Sequence, residues 1–253
     1  MIDTEAYLHR IGLNNQASVS FQSLTQLQKA HLLHIPFENL DIHQNVPIQL
    51  NIDRIYNKVV NQHRGGFCYE LNGLFYELLK TLDFEVRRIS ARVYHDGEYA
   101  PEYDHLAIVA TIDGKEYLTD VGFGEFTFSP LQLDTTEPQH DERGTFRVDR
   151  YEKIYYRVSR QEKEDWKPVY IFENKHRKFQ EFATMCHYHQ TSPESHFKQK
   201  RMITLPTNGG RITLTDDLLK ISRNQETTKE KPVTCKEDFD TLLFTYFGLH
   251  MGK

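Results

Sequence analysis

The 253-residue sequence has no apolar run of about 18 residues, the length a membrane-spanning helix needs, so a helical membrane protein is excluded on hydropathy. Cysteine is scarce. Cys68, Cys186 and Cys235 are odd in number, lie far apart and include no C-x-x-C pair, which argues against both a disulfide framework and a cysteine zinc site. A reducing compartment fits that pattern. Basic excess is missing too: 31 Lys and Arg against 36 Asp and Glu leave a net charge of −5, and a nucleic-acid binder needs a basic face to neutralise phosphate. The opening Met1-Ile2-Asp3-Thr4-Glu5 has neither the basic stretch nor the apolar stretch of a secretion signal, so a cytoplasmic location is expected. Internal repeats and low-complexity segments are also lacking. What remains, 38% hydrophobic and 26% charged residues, is the composition of a globular chain able to bury a full core as one large domain or two to three small ones.

The stretch with most chemical content is Arg64-Gly65-Gly66-Phe67-Cys68-Tyr69-Glu70-Leu71-Asn72-Gly73-Leu74-Phe75. Beyond it Leu71, Leu74, Phe75, Leu78, Leu79 and Leu82 recur at helical spacing, so a helix with one face in a core is predicted to begin at the cysteine. The double glycine lets the chain bend just before it. At the first turn of a helix the unpaired N–H groups and the positive dipole end favour a thiolate, the setting of a reactive cysteine, whereas free cysteine elsewhere is commonly a small buried hydrophobe.

Around that stretch the first third of the chain reads as a helical bundle. A short helix is expected over 3–12 with Asp3 as its cap, a second from the capping box Ser23-Leu24-Thr25-Gln26 to Pro36, and a third over 53–61. Between the second and third, Ile35-Pro36-Phe37-Glu38-Asn39-Leu40-Asp41 reads as a shaped loop presenting two exposed polar residues. After Asp83 the period changes from 3.6 to 2. Val86, Ile89, Ala91 and Val93 mark a strand ending at Asp96-Gly97, and strands over 105–112 and 116–121 flank the hairpin signal Asp113-Gly114. Strands are also expected over 144–152, 154–160 and 166–173, so the middle reads as antiparallel sheet or a small barrel. Farther on, strands over 202–205 and 211–215 join across Asn208-Gly209-Gly210, another follows over 218–222, residues 225–231 read as a polar insertion in solvent, and Thr234-Cys235-Lys236-Glu237 caps a last helix with Gly248 behind it.

A nucleophilic cysteine needs a base and a group that orients the base. His105 is the best candidate of 13 histidines, because the Asp113-Gly114 hairpin brings the start of its strand beside Asp120 or Gly122. Asp120 ends an apolar strand, where a partly buried carboxylate needs a partner such as an imidazole N–H; capping the following turn is its plainer role. Arg64 is read as structural, with Glu38 and Glu70 as partners, and Phe37 and Phe123 as linings of an aromatic substrate pocket or simply as core. Cys186-His187-Tyr188-His189 would alternate faces if extended, so its residues are read as non-ligands and no metal site is expected. Asn208, Gly209, Gly210 and Arg211 offer backbone N–H groups and a charge to a phosphate, or only a hairpin turn.

The segments Pro36-Phe37-Glu38-Asn39-Leu40, Arg64 through Asn72, Asp104-His105-Leu106 and Asp120-Val121-Gly122-Phe123-Gly124 resemble the arylamine N-acetyltransferases of bacterial type, in the family's order. Ser192-Pro193-Glu194-Ser195-His196-Phe197 and Gly210-Arg211-Ile212-Thr213-Leu214 extend the resemblance over nearly the whole chain. Leu82-Asp83-Phe84 departs from it at the helix exit, where the family often has a glycine. The resemblance implies an α+β fold: a helical bundle (1–84), a central antiparallel β-barrel (85–190) and a C-terminal α/β lid (191–253). It also implies acetyl-CoA as donor, a small arylamine or hydrazine as acceptor, and Cys68, His105 and Asp120 as nucleophile, base and orienting acid. Nucleic acid and membrane are not expected partners, and oligomeric state is not legible. The rival from another reaction class is a cysteine hydrolase or transglutaminase-like enzyme acting on amides, which uses the same three residue types in the same order.

Overall fold

A computed structural model of the chain describes residues 2–14, 18–135, 137–223 and 226–250. The N-terminal part contains α1 (Thr4–Arg10), α2 (Phe21–His34), the two-residue strand β1 (Phe37–Glu38), α3 (Leu40–His43), α4 (Ile52–Tyr56) and α5 (Cys68–Thr81). Asp3 caps α1 as expected. The cap of α2 is Ser20 rather than Ser23: its hydroxyl accepts the Ser23 N–H at 3.1 Å, so the helix starts earlier than the expected box. The helix expected over 53–61 is regular only in α4 and then widens into a π-helical turn, Asn57–Asn61. Three consecutive residues, Lys58, Val59 and Val60, are buried in that turn.

α5 starts at Cys68 as the periodicity requires, and it is the central post of the larger core. Leu71, Leu74, Phe75, Leu78 and Leu79 are fully buried, each stabilising the fold by about 1.5–3 kcal/mol. The middle of the chain forms an antiparallel sheet of β2 (Glu85–His95), β3 (Glu98–Tyr99), β4 (His105–Ile112), β5 (Lys115–Thr119), β6 (Leu131–Gln132), β7 (Gln139–Asp141), β8 (Gly144–Tyr151), β9 (Tyr155–Glu162) and β10 (Asp165–Glu173). Its order is β6-β5-β4-β2-β10-β9-β8-β7, with β3 on β2, and it curls into a nearly closed barrel with its own core around Tyr170 and Phe172. Asp96-Gly97 and Asp113-Gly114 make the turns, both residues of each pair at positive φ, as tight hairpins demand.

Two short helices, α6 (Ala183–Thr191) and α7 (His196–Gln199), lead into a second sheet of β11 (Met202–Thr207), β12 (Gly210–Thr215), β13 (Leu218–Arg223) and β14 (Glu226–Pro232), covered by α8 (Lys236–Phe247). The cysteine-histidine segment over 186–189 therefore lies in a helix, not in an extended chain: Cys186 and His189 face inward, while His187 and Tyr188 face out. The stretch expected as a free insertion over 225–231 begins at Gln225, outside the described residues; from Glu226 it is an edge strand on β13 whose side chains are all exposed. Backbone pairing needs no apolar side chain, and Lys and Glu are what an edge strand carries against further pairing. The cap of α8 sits at Cys235, with the Thr234 hydroxyl bonded to Asp238 instead of forming the expected box. β1 joins the two ends of the chain: Phe37 pairs with Thr204 of β11 on one side and bridges Gly66 on the other.

Candidate active site

Three backbone segments meet at the N-terminus of α5. The first carries Cys68 there, with the Glu70 carboxylate reaching back to accept the Phe67 N–H at 3.2 Å. The second is the start of β4, with His105, and the third is the turn after β5, with Asp120. The hairpin register pairs Ile108 with Thr119, which places His105 opposite the Asp120–Gly122 turn, and His105 Nε2 lies 2.7 Å from Asp120 Oδ2. Asp120 is fully buried and fully satisfied. Oδ2 also accepts from the Tyr170 hydroxyl at 3.2 Å, and Oδ1 accepts from Asn72 Nδ2 at 2.8 Å and from the Gly122 N–H at 2.9 Å.

Asn72 is a site residue to which sequence reasoning gave no role. One helical turn beyond Cys68, it donates also to the Leu106 carbonyl at 2.6 Å, and its Oδ1 accepts the Val121 N–H at 2.9 Å. One side chain thus fastens both strands of the hairpin to the helix that holds the sulfur. Its i, i+4 spacing from Cys68 was the available signal. For Tyr170, 50 residues from Asp120 in sequence, no local signal existed.

The glycines serve close approach rather than bending. Gly65, Gly66 and Gly122 all keep ordinary φ. A Cβ on Gly122 would stand 2.8 Å from Cys68 Cα, and one on Gly65 would stand 1.9 Å from the Pro36 carbonyl oxygen. Glu38 and Asn39, expected in solvent, are buried. Arg64 donates to Glu38 at 2.8 and 3.0 Å and to Asp41 at 2.8 Å, while Glu70, its other expected partner, is taken by Lys58 at 2.9 Å.

Cys68, His105, Phe37 and Phe123 all line one cavity of about 310 Å³, together with Asp104, His196, Phe197 and Arg211. Phe123 stands edge-on to the His105 ring, centroids 5.3 Å apart, and Phe37 packs on Phe197 at 6.0 Å. Cys68 stands at the helix end as expected, but it is also buried, and burial opposes the thiolate. Burial pushes the Cys68 thiol well up, the Leu106 N–H pulls it part of the way back, and the carboxylates of Asp104 and Asp120 push it up further.

Beside this cavity lies a second of about 650 Å³, lined among others by Glu125, Arg143, Arg160, Gly209, Gly210, Arg211 and Lys220. Of the four candidate phosphate-binding residues, Gly209, Gly210 and Arg211 line it; Asn208 is exposed at the turn and does not. Arg211 faces both cavities and donates to the Gly124 carbonyl at 2.6 Å. Burial lowers its guanidinium to about 10, with Arg143 and Arg160 adding to the fall and Glu125 opposing it. The burial of Glu125, which would raise its carboxyl, is outweighed by Arg211, Arg160 and Arg143 together, so it is held below the usual range.

Residues 20–253 match the family model described as N-acetyltransferase. The chain is 30% identical to arylamine N-acetyltransferase 2 of Mus musculus, over 100% of this chain and 96% of the relative. It is 31% identical to the arylamine N-acetyltransferase of Mycolicibacterium smegmatis, over 99% and 93%. Among solved structures, a Bacillus cereus arylamine N-acetyltransferase with a Cys-His-Glu catalytic triad superposes with a TM-score of 0.90 at 28% identity, covering 99% of this chain and 100% of that one.

Proposed function

The chain belongs to the arylamine N-acetyltransferase family, whose members are acyltransferases, and from that premise we propose that Cys68 carries the acetyl group, His105 moves its proton and Asp120 holds His105. The observation that carries this reading is the 2.7 Å contact of His105 Nε2 with a fully satisfied buried carboxylate, in the cavity that Cys68 also lines. With Nε2 donating to Asp120, Nδ1 is the ring nitrogen left to take the thiol proton. Because burial favours the neutral thiol, the thiolate forms as one half of an ion pair with the His105 imidazolium.

The donor is acetyl-CoA. Thiolate attack on its thioester carbonyl forms the new C–S bond, the C–S bond to CoA breaks, and His105 returns its proton to the departing thiolate. An arylamine or arylhydrazine nitrogen then attacks the acetyl-Cys68 carbonyl, His105 takes a proton from that nitrogen, and Cys68 leaves as thiolate. Each tetrahedral intermediate places negative charge on oxygen beside the Cys68 N–H, which, as the first of its helix, has no intrahelical acceptor. Phe37, Phe123 and Phe197 give the acceptor ring an aromatic lining. Gly209, Gly210 and Arg211, with Arg143, Arg160 and Lys220, receive the phosphates of CoA; three arginines and a lysine around Glu125 supply the positive field.

Mixing the protein with acetyl-CoA alone tests the reading. About one equivalent of CoA should appear in a burst, with the mass of one acetyl group added at Cys68. A slow continuous release of acetate without an acetyl-enzyme would instead mark a hydrolase, and no release at all would end the acetyl-carrier reading.

A further inference from the structure

Asp104 lines the catalytic cavity itself, and its surroundings are unlike those of Asp120, which is fully buried and does not line it. Its side chain is 16% exposed and lines the cavity with Cys68, His105 and His196. Its closest partner is His189, whose Nε2 stands 3.2 Å from Oδ1 without the alignment of a hydrogen bond; His189 Nδ1 meets the Ser195 hydroxyl at 3.1 Å. Among the described residues, no donor makes an aligned hydrogen bond to the Asp104 carboxylate. A mostly buried carboxylate left with open acceptor positions is one that a ligand completes.

The backbone is built to hold it there. Tyr103, immediately before, takes φ +68, a left-handed conformation that costs a tyrosine energy and persists only where neighbours enforce it. They do so from both sides: the Tyr103 N–H donates to Ser90 Oγ at 2.7 Å, and the Tyr69 hydroxyl lies 2.8 and 3.0 Å from the carbonyl oxygens of Tyr103 and Asp104. Tyr69 follows Cys68 in sequence, so the placement of this carboxylate is tied to that of the sulfur. Its charge works against the first half-reaction, because a carboxylate beside Cys68 disfavours the thiolate. Its use therefore lies after the sulfur has been acylated and its charge removed.

We propose that Asp104 accepts a hydrogen bond from the nitrogen of the acceptor amine, turning its lone pair to the acetyl-Cys68 carbonyl, so that the site requires an acceptor with two N–H bonds. The inference rests on the acetyl-carrier reading of Cys68. A primary amine or hydrazine spends one N–H on Asp104 and gives the other proton to His105 as the C–N bond forms. The carbonyl π pair moves to oxygen and returns as the C–S bond breaks, its electrons going to sulfur. The products are the N-acetyl amide, still bearing the N–H held by Asp104, and a Cys68 thiolate beside the His105 imidazolium. A secondary amine has one N–H and cannot satisfy both.

Asp104→Asn keeps the shape and removes the charge, and the two half-reactions report separately. The acetyl-CoA burst of the variant should keep its one-equivalent amplitude and at least the wild-type rate. Deacetylation of the acetyl-enzyme by 4-methylaniline should slow by about tenfold or more, the range for losing a hydrogen bond to a charged group. On the wild type itself, replacing 4-methylaniline by its N-methyl derivative should slow deacetylation strongly while leaving the burst untouched, and Asp104→Asn should narrow that discrimination. Equal losses in both half-reactions would reduce Asp104 to a brace for the loop before His105, and unchanged deacetylation would remove it from the reaction. A wild type with no burst would instead overturn the acetyl-carrier reading beneath it.

Discussion

Two buried polar clusters flank the first turn of α5, and they are built on opposite principles. On one side Asp120 is a single charge surrounded by neutral or switchable donors, Asn72, Tyr170, the Gly122 N–H and His105, drawn from four separate segments. On the other, three carboxylates, Glu38, Asp41 and Glu70, share two cations. Arg64 holds Glu38 and Asp41, and Lys58 holds Asp41 at 2.7 Å and Glu70 at 2.9 Å while standing 3.7 Å from Glu38. The first cluster opens onto the catalytic cavity through His105 and the second does not line it. A site that moves a proton needs a group whose charge can change at small cost. A cluster that fixes a helix end is held by its cations, because removing either one leaves buried carboxylates without compensation.

The largest effect should come from the side that does chemistry. Asp120→Asn leaves the shape but spoils the acceptor for His105 Nε2–H, so turnover should fall by roughly 10³-fold or more with little change in thermal stability. Stopped-flow measurement of CoA release reads it, and near-wild-type turnover would contradict the role given to Asp120. On the ionic side the order reverses: Lys58→Met should cost about 3–5 kcal/mol in denaturant unfolding, by leaving Glu70 and Asp41 short of a cation. A small cost would mean that the cluster is not held by charge.

The pH dependence sharpens the contrast further. Burial raises the Glu70 carboxyl to about 7, with Lys58 pulling it down and Glu38 pushing it up. Its folded value thus lies above the unfolded value of about 4.3, so the folded state binds the proton more tightly. The stabilisation this gives is fully present below about pH 4 and is lost as pH rises to about 7, amounting to roughly 3–4 kcal/mol across that window. Urea unfolding between pH 5 and 8 should show this slope in the wild type and not in Glu70→Gln; parallel curves would mean that Glu70 does not titrate there. The smallest effect is expected outside both clusters. Lys220 is exposed at the rim of the arginine-lined cavity, and Lys220→Gln should raise the KM for acetyl-CoA by about two- to fivefold at low salt and less at high salt. A KM that ignores both the substitution and the salt would move the CoA phosphates elsewhere.

Periodicity and turn chemistry act between near neighbours, and those parts of the molecule were legible from the sequence. The start of the long helix at Cys68, the two Asp-Gly hairpins and the meeting of His105 with Asp120 all follow from contacts within about 15 residues along the chain. Most strands could be placed to within two residues for the same reason. What the tertiary structure alone decided is everything that required distant segments to choose a face. The pairing of β1 with β11 across more than 160 residues is one case, and the clamping of both hairpin strands by Asn72 is another. So too are the joining of Arg143 and Arg160 to Arg211 and the burial of Glu38. The reactivity of the cysteine divides along the same line. A helix N-terminus is a local feature and favours a thiolate; desolvation is a property of the whole packed interior, and at Cys68 it pushes the thiol the other way.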